Sequence, residues 1–586
     1  MTQIKPSTVK PQIQSKPSRK SSLLLKLGGA GLVVGAGATA YWLLVLNPSW
    51  QAALPVGVNV IPPSALMTLS VSTEPQQWQQ LRSLGTPQSR TLLDQNLVQL
   101  RDRLLTANGL NYEQNIQPWV GKEAMIAFLP STAPTATAGS GATTVPGFAR
   151  QGMLTVLPIA NPAQALQALQ KLPAQQANQW QERKYEGFPI QERQGSIPLA
   201  VTLLDHQFVV VSTEPKLIEQ AIDTYKKRVS LANMPGYQQA WSTIQTEQPF
   251  AKIFVNVPVA AAAIGSGGNS PVSADSLMQR QQNQGLATTV SLEATGLQFQ
   301  GISWLRSDSS RRLVVENTAQ TMPKRLPAET YMMLSGGSLK QLWQDYEQGA
   351  QGNPIAPLAP ERLRDGLKSL TGLEFERDFL GWTGKEFALA VIPAPADAAR
   401  QSGVGLALLV KASDRRGGES FLQRLDQAIS DRYKLQVKPS AINGQTATDW
   451  IDQQGRWTAT HGWLEGDVAF LVVGAPIAKL LLPNPQNSLA TSQLFQTAVP
   501  TNLKPNNGHF FLNVDQTVNL PMPDLPFLQS ANPLVRAIRT IGVTAAIRDV
   551  RSTRFNVGLQ VQKTGQPQPL PAPSLPSPAP ATPDQH

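Results

Sequence analysis

The sequence predicts an α+β fold written twice: two tandem related domains, each a mostly antiparallel sheet with packed helices, after a single N-terminal transmembrane helix. Three observations predict it. The stretch WVGKEAMIAFLP at residues 119–130 returns as WTGKEFALAVIP at residues 382–393. Strand-length runs follow one another in pairs, as residues 288–292 and 298–304 do, which favours α+β over a regular βαβ alternation. Residues 27–46, LGGAGLVVGAGATAYWLLVL, are 20 uncharged residues, long enough to cross a ~30 Å hydrocarbon layer as a helix.

The chain opens with a basic tail, residues 1–26. Lys5, Lys10, Lys16, Arg19, Lys20 and Lys26 supply six of the eleven net positive charges, and no acidic residue precedes Glu74. The rest of the positive charge is scattered, so no basic groove for nucleic acid is expected. Because the basic residues precede residues 27–46, the tail is expected in the cytoplasm and everything from about residue 50 outside it, in a periplasm or thylakoid lumen. The competing reading is a signal peptide cut after Ala40, at the small residues Ala38 and Ala40, but the apolar run continues through Leu46. Gly31 and Gly35 form a GxxxG pair of the kind that brings two spans together, although Gly and Ala are common in such helices without pairing.

A linker, residues 47–60, leads to the first repeat, residues 61–306. A second linker, residues 307–326, leads to the second repeat, residues 327–563. Helical spacing of Leu93, Leu97, Leu100 and Leu104 after Pro87 matches Leu363, Leu367 and Leu370 after Pro360, and a glycine follows each, Gly109 and Gly372. The agreement then continues in order. GLNYEQNIQPW is answered by GLEFERDFLGW, GMLTVLPI by GLALLVKA, QFVVVSTEPKLIEQAI by AFLVVGAPIAKLLL, and AKIFVNVP by HFFLNVDQ. Between them fall helices at 162–172, with Leu166, Leu169 and Leu172 on one face, and at 419–429, with Phe421, Leu422, Leu425 and Ile429. Copies some 260 residues apart imply duplication of a whole domain rather than a short-period solenoid. The apolar runs at 124–129 and 387–392 predict strands buried on both faces. Polar insertions at 131–147 and 265–285 read as surface loops, and residues 564–586, rich in proline, as an extended disordered tail.

The repeat signature comprises Trp119, Gly121, Lys122 and Glu123, and again Trp382, Gly384, Lys385 and Glu386. A Gly-Lys pair suggests a phosphate loop, but a glutamate stands where its Ser or Thr belongs, and a strand follows instead of a helix. The economical reading is structural: each tryptophan covers the end of a core, each glycine permits a turn, and Lys-Glu opens a strand.

No catalytic, cofactor or metal residues can be assigned. There is no cysteine, which excludes disulfides, thiolate metal sites and acylated cysteine. His206, His461, His509 and His586 are mutually remote, with no HExxH. Asp205 beside His206 is expected to face the opposite side of a strand. No G-x-S-x-G elbow occurs; the nearest resemblance, Ser335 in LSGGSLK, precedes Ser338, which reads as a helix N-cap.

The order of a membrane span, the PPSALMTLSVST opening from Pro62, GLNYEQNIQPWVGKE and its second copy resembles a group of cyanobacterial proteins catalogued as domain-of-unknown-function family 3352, over residues 61–562. The resemblance implies a membrane-associated protein of an oxygenic phototroph, in a plasma or thylakoid membrane, and brings no assigned catalytic residue. The expected role is a non-enzymatic, membrane-tethered binding or scaffolding protein that uses the cleft between its halves for protein partners. The alternatives are a carrier or sensor of a hydrophobic ligand, lipid or pigment, with a curved sheet as its trough, and an unrecognised hydrolase, because paired carboxylates carry no sequence signature.

Overall fold

A computed structural model describes residues 54–104, 111–132, 151–174, 180–193, 198–244, 246–265, 282–350, 360–395, 403–518 and 532–563. The segment 27–46, Gly109, the tail 564–586 and most of 131–147 lie outside these residues. Among the described residues no helix is long and apolar enough to cross a membrane.

The first half supplies strands β1 (Met67–Ser72), β2 (Glu123–Pro130), β3 (Gln151–Pro158), β4 (Trp180–Tyr185), β5 (Phe188–Arg193), β6 (Leu199–Leu204), β7 (Phe208–Ser212), β8 (Ala251–Asn256), β9 (Asn283–Glu293) and β10 (Gly296–Leu305). The second supplies β11 (Met332–Gly336), β12 (Phe387–Pro393), β13 (Val404–Lys411), β14 (Gln436–Ile442), β15 (Gln445–Ile451), β16 (Trp457–Leu464), β17 (Val468–Val473), β18 (Gly508–Asn513), β19 (Ile538–Asp549) and β20 (Ser552–Val561). The helices include α1 (Pro75–Ser83), α2 (Pro87–Leu104), α3 (Pro162–Ala174), α4 (Pro215–Lys227), α5 (Leu339–Ala350), α6 (Pro360–Thr371) and α7 (Arg415–Tyr433).

All pairs of named strands among the described residues are antiparallel. Across the first half the order is β4-β5-β6-β7-β3-β2-β1-β8-β9-β10. Across the second it is β14-β15-β16-β17-β13-β12-β11-β18-β19-β20, the same order with each number raised by ten. The last strands of the two halves, β10 and β20, pair with each other from Gly296↔Gln560 to Trp304↔Ser552. One sheet of 20 strands results, and the junction where a cleft was expected is hydrogen-bonded sheet.

Neither expected linker is a free tether. Val58 and Val60 are buried in a short 3-10 turn against the first core. Residues 307–326 carry buried Leu313, Ala319 and Met322, and buried Arg311 pairs with buried Asp345 of α5 at 3.4 Å. Such segments lose their chain freedom to apolar burial, which their hydrophobic content allows.

Gly372 ends α6 with φ +76°, the left-handed conformation a glycine reaches without strain. The Ser338 hydroxyl accepts the Gln341 N–H and caps α5. Strand β12 is buried on both faces, but β2 fully buries only Met125, Ala127 and Leu129. Helix α3 turns Ala165 fully inward, and Leu166 and Leu169 only partly. The second copy of the strand-to-helix segment closes with a single turn, Ala478–Leu481. Asp205 and His206 do not face opposite sides of a strand: with φ +43° and +57° they are the first two of the three residues, Asp205–Gln207, that turn β6 into β7. The insertion at 265–285 is shorter than expected, because Gly265 ends a helix and β9 begins at Asn283.

Candidate functional site

The signature residues come together as structural ties. Lys122 and Lys385 are exposed, and Lys122 reaches Glu74 at 3.7 Å. The glutamates turn inward. Glu123 accepts Lys252 Nζ at 2.7 Å, the Ser70 hydroxyl, and the Val56 N–H at 3.2 Å. Ser70 and Lys252 are direct cross-strand partners on β1 and β8. The matching positions of the second half are Ser335 and His509, again direct partners, on β11 and β18, with Glu386 before β12. Glu386 accepts the Thr321 and Gln320 N–H groups at 2.7 and 3.0 Å. Each carboxylate therefore pins the chain as it enters its half. Burial pushes the His509 imidazole down to about 4, opposed by the nearby Glu386 charge.

Gly121 and Gly384 have no left-handed backbone, so the expected turn is not their reason. At Gly384 close approach is the reason, since a Cβ there would lie 2.8 Å from Ser413 Oγ, whereas one on Gly121 would meet Pro158 at an ordinary 3.4 Å. Trp119 and Trp382 are both 4% exposed, as core-covering residues should be. Trp119 Nε1 donates to the Asn115 carbonyl at 2.5 Å, whereas Trp382 Nε1 has no partner among the described residues.

Trp382 instead borders a cavity of about 690 Å3, within the ~300–1,000 Å3 typical of small-molecule sites. It lies between α6, a π-helical turn at Phe375–Phe379 and α7 on one side and β13 and β15–β17 on the other. Leu367 and Leu370 of α6 and Leu422, Leu425 and Ile429 of α7 form the helical wall; Leu408, Val410, Ala469, Leu471 and Val473 form the sheet wall. Leu408 and Leu471 are cross-strand partners in the interior of the sheet, yet only half-buried, because their shared face fronts this space.

One end is aromatic. Phe379 and Trp382 pack on Phe421 at 5.4 and 5.8 Å, and Trp382 on Trp463 at 6.3 Å, with the Arg415 guanidinium 3.8 Å above the Trp463 ring. The other end is polar, where Thr371 and Tyr433 at the ends of α6 and α7 meet the turn carrying Asp452 and Arg456. Behind the wall, Asp426 Oδ1 takes Trp450 Nε1 at 2.6 Å and His461 Nε2 at 2.8 Å, which fixes the Trp450 ring.

At the corresponding place in the first half the described residues form a packed cluster. There Ala165 and Ala168 let α3 close onto Leu199, Val201 and Val209, with Ile116 and Trp119 at the end. In the second half the larger Phe421 and Leu422 of the longer α7 stand at the matching seam and line the cavity. Sequence reading found the residues of both walls but missed the space, whose signal was small inner residues in one copy and large ones in the other. Among the described residues no group of His, Cys, Asp or Glu could hold a metal ion.

No curated protein matches the chain. Among solved structures it is similar to "Structure of crystal form IV of TP0453", with 11% identity, 45% of this chain and 82% of that chain covered, and a TM-score of 0.23. It is also similar to "Structure of crystal form I of TP0453", with 10% identity, coverage of 44% and 81%, and a TM-score of 0.22. Likenesses this distant carry no argument. The family model described as "Protein of unknown function (DUF3352)" matches residues 27–561, nearly the whole chain, and the protein belongs to that family.

Proposed function

We propose that the protein is a non-enzymatic, membrane-tethered extracytoplasmic binder of an apolar ligand, which it carries or senses in the helix–sheet cavity of its second half. The cavity itself carries the reading. Its aliphatic and aromatic walls offer water few hydrogen-bond partners, so an apolar occupant gains the burial that water cannot. The uncharged segment 27–46 behind a basic tail supports the tether and the orientation.

The test is binding of N-phenyl-1-naphthylamine, an uncharged dye that brightens in apolar surroundings, to a soluble fragment spanning residues 54–563. Saturable brightening is expected, lost in Leu408→Trp, which puts an indole into the space. Brightening that survives Leu408→Trp, or none in the unsubstituted fragment, contradicts the reading.

A further inference from the structure

We infer that the cavity takes a lipid with a planar, conjugated ring, the ring lying among Tyr433, Trp450 and Trp457 at the open end and an aliphatic tail running inward. This rests on the cavity reading above and adds the class of ligand. Both ends of the space are lined by aromatic side chains, but the rings of the two ends are differently engaged.

At the closed end the rings are packed on one another. Phe375 meets Phe379 at 5.5 Å, Phe379 meets Phe421 at 5.4 Å, and Trp382 meets Phe379 and Phe421 at 6.0 and 5.8 Å. The Trp382 N–H is itself buried there and offers the cavity no surface. At the open end, among the described residues, no ring packs on Tyr433 or Trp457, and Trp450 meets only the His461 ring, edge-on at 5.6 Å.

The polar atoms of these three residues are tied back into the protein. Trp450 Nε1 donates to Asp426 at 2.6 Å, Trp457 Nε1 to the Thr460 hydroxyl at 2.8 Å, and the Tyr433 hydroxyl to the Leu370 carbonyl at 3.0 Å. The bonds hold the side chains in place and leave ring surface, rather than hydrogen-bonding groups, for an occupant. A planar conjugated ring adds an edge-to-face or offset-stacked contact to its apolar burial, worth about 2- to 12-fold in affinity for each contact. A puckered saturated ring of the same size gains the burial alone. Between the ends, Leu408, Leu425 and Leu471 wall the space and suit a saturated tail. A substituent on the outer side of the ring reaches the Asp452–Arg456 turn, where the Arg456 side chain is 68% exposed, so water rather than the protein solvates it.

The experiment uses the full chain held in amphipol, with Leu471→Cys as the reporter on the cavity wall; the natural sequence has no cysteine to confuse the label. The rate of bimane labelling is measured against two uncharged probes that share a tail and an amide and differ in the ring: 4-octylbenzamide and trans-4-octylcyclohexanecarboxamide. The benzamide is expected to protect the thiol at free concentrations at least fivefold lower than the saturated amide. In Trp457→Leu and in Tyr433→Leu, each combined with the reporter, that preference is expected to fall at least twofold; being a ratio within one sample, it is unaffected by a general weakening of binding. Equal protection by the two amides, or better protection by the saturated one, overturns the ring assignment while leaving the cavity reading in place. A preference unchanged in both variants overturns the placement of the ring at the open end. A thiol that labels but is protected by neither amide overturns both the ring assignment and the cavity reading.

Discussion

Replacing Ala469 by leucine should stabilise the ligand-free protein. Ala469 sits on β17 beside Leu471 and Val473, on the wall that fronts the cavity. Leucine adds three carbons, and burying a methylene is worth ~0.8 kcal/mol, so filling space already present should contribute about 2 kcal/mol. The control is Ala407→Leu on neighbouring β13. Ala407 is 1% exposed and packs among Ala390, Leu409 and Val472 on the opposite face. There the same three carbons meet close-packed neighbours and should destabilise by about 1–3 kcal/mol. Native-state hydrogen exchange of the β13 and β17 amides, measured after delipidation, reads local stability without requiring a chain this large to unfold in one step. Ala469→Leu should slow exchange about thirtyfold and Ala407→Leu should speed it. If Ala469→Leu speeds exchange as Ala407→Leu does, the wall is packed in solution and the account of the cavity is wrong.

Other consequences follow from the ties at the strand ends. Lys252→Ala leaves Glu123 inward and unpaired, and should cost about 3 kcal/mol of local stability in the first half, whereas Lys122→Ala, at a side chain 90% exposed, should change it by less than ~0.5 kcal/mol. His509 lies near 4 in the fold against an ordinary 6.5, so the unfolded chain binds the extra proton between those values. The stability of the second half should therefore be full above about pH 6.5 and fall by roughly 3 kcal/mol as pH drops toward 4, a loss that exchange measurements should find removed in His509→Gln. For the membrane orientation, single cysteines at Ser7 and Ser413 should react oppositely with an impermeant maleimide on intact cells; labelling of Ser7→Cys from outside would reverse it.

The repeated order of elements was legible because each copy preserves strand-length apolar runs, and those runs need no knowledge of their partners. Gly372 and Ser338 were legible for a related reason, since helix ends are decided by a few neighbouring residues. What was hidden depended on distance along the chain. Nothing near Glu123 announces Lys252, 129 residues later, and nothing near Glu386 announces Thr321. The same holds for β10 and β20, whose pairing turns two expected domains into one continuous sheet. The cavity was hidden differently. Phe421, Leu422 and Leu425 read as ordinary core at helical spacing, and only their size relative to Ala165 and Ala168 in the first copy sets the two helix–sheet seams apart.

The most direct test of the central claim is native mass spectrometry of the full-length protein, extracted from its own membranes and released gently from detergent. The account predicts one reproducible adduct of small-amphiphile mass at no more than one copy per chain, absent from Leu408→Trp prepared in parallel. A bare chain in every preparation, or an adduct that persists unchanged in Leu408→Trp, would contradict it.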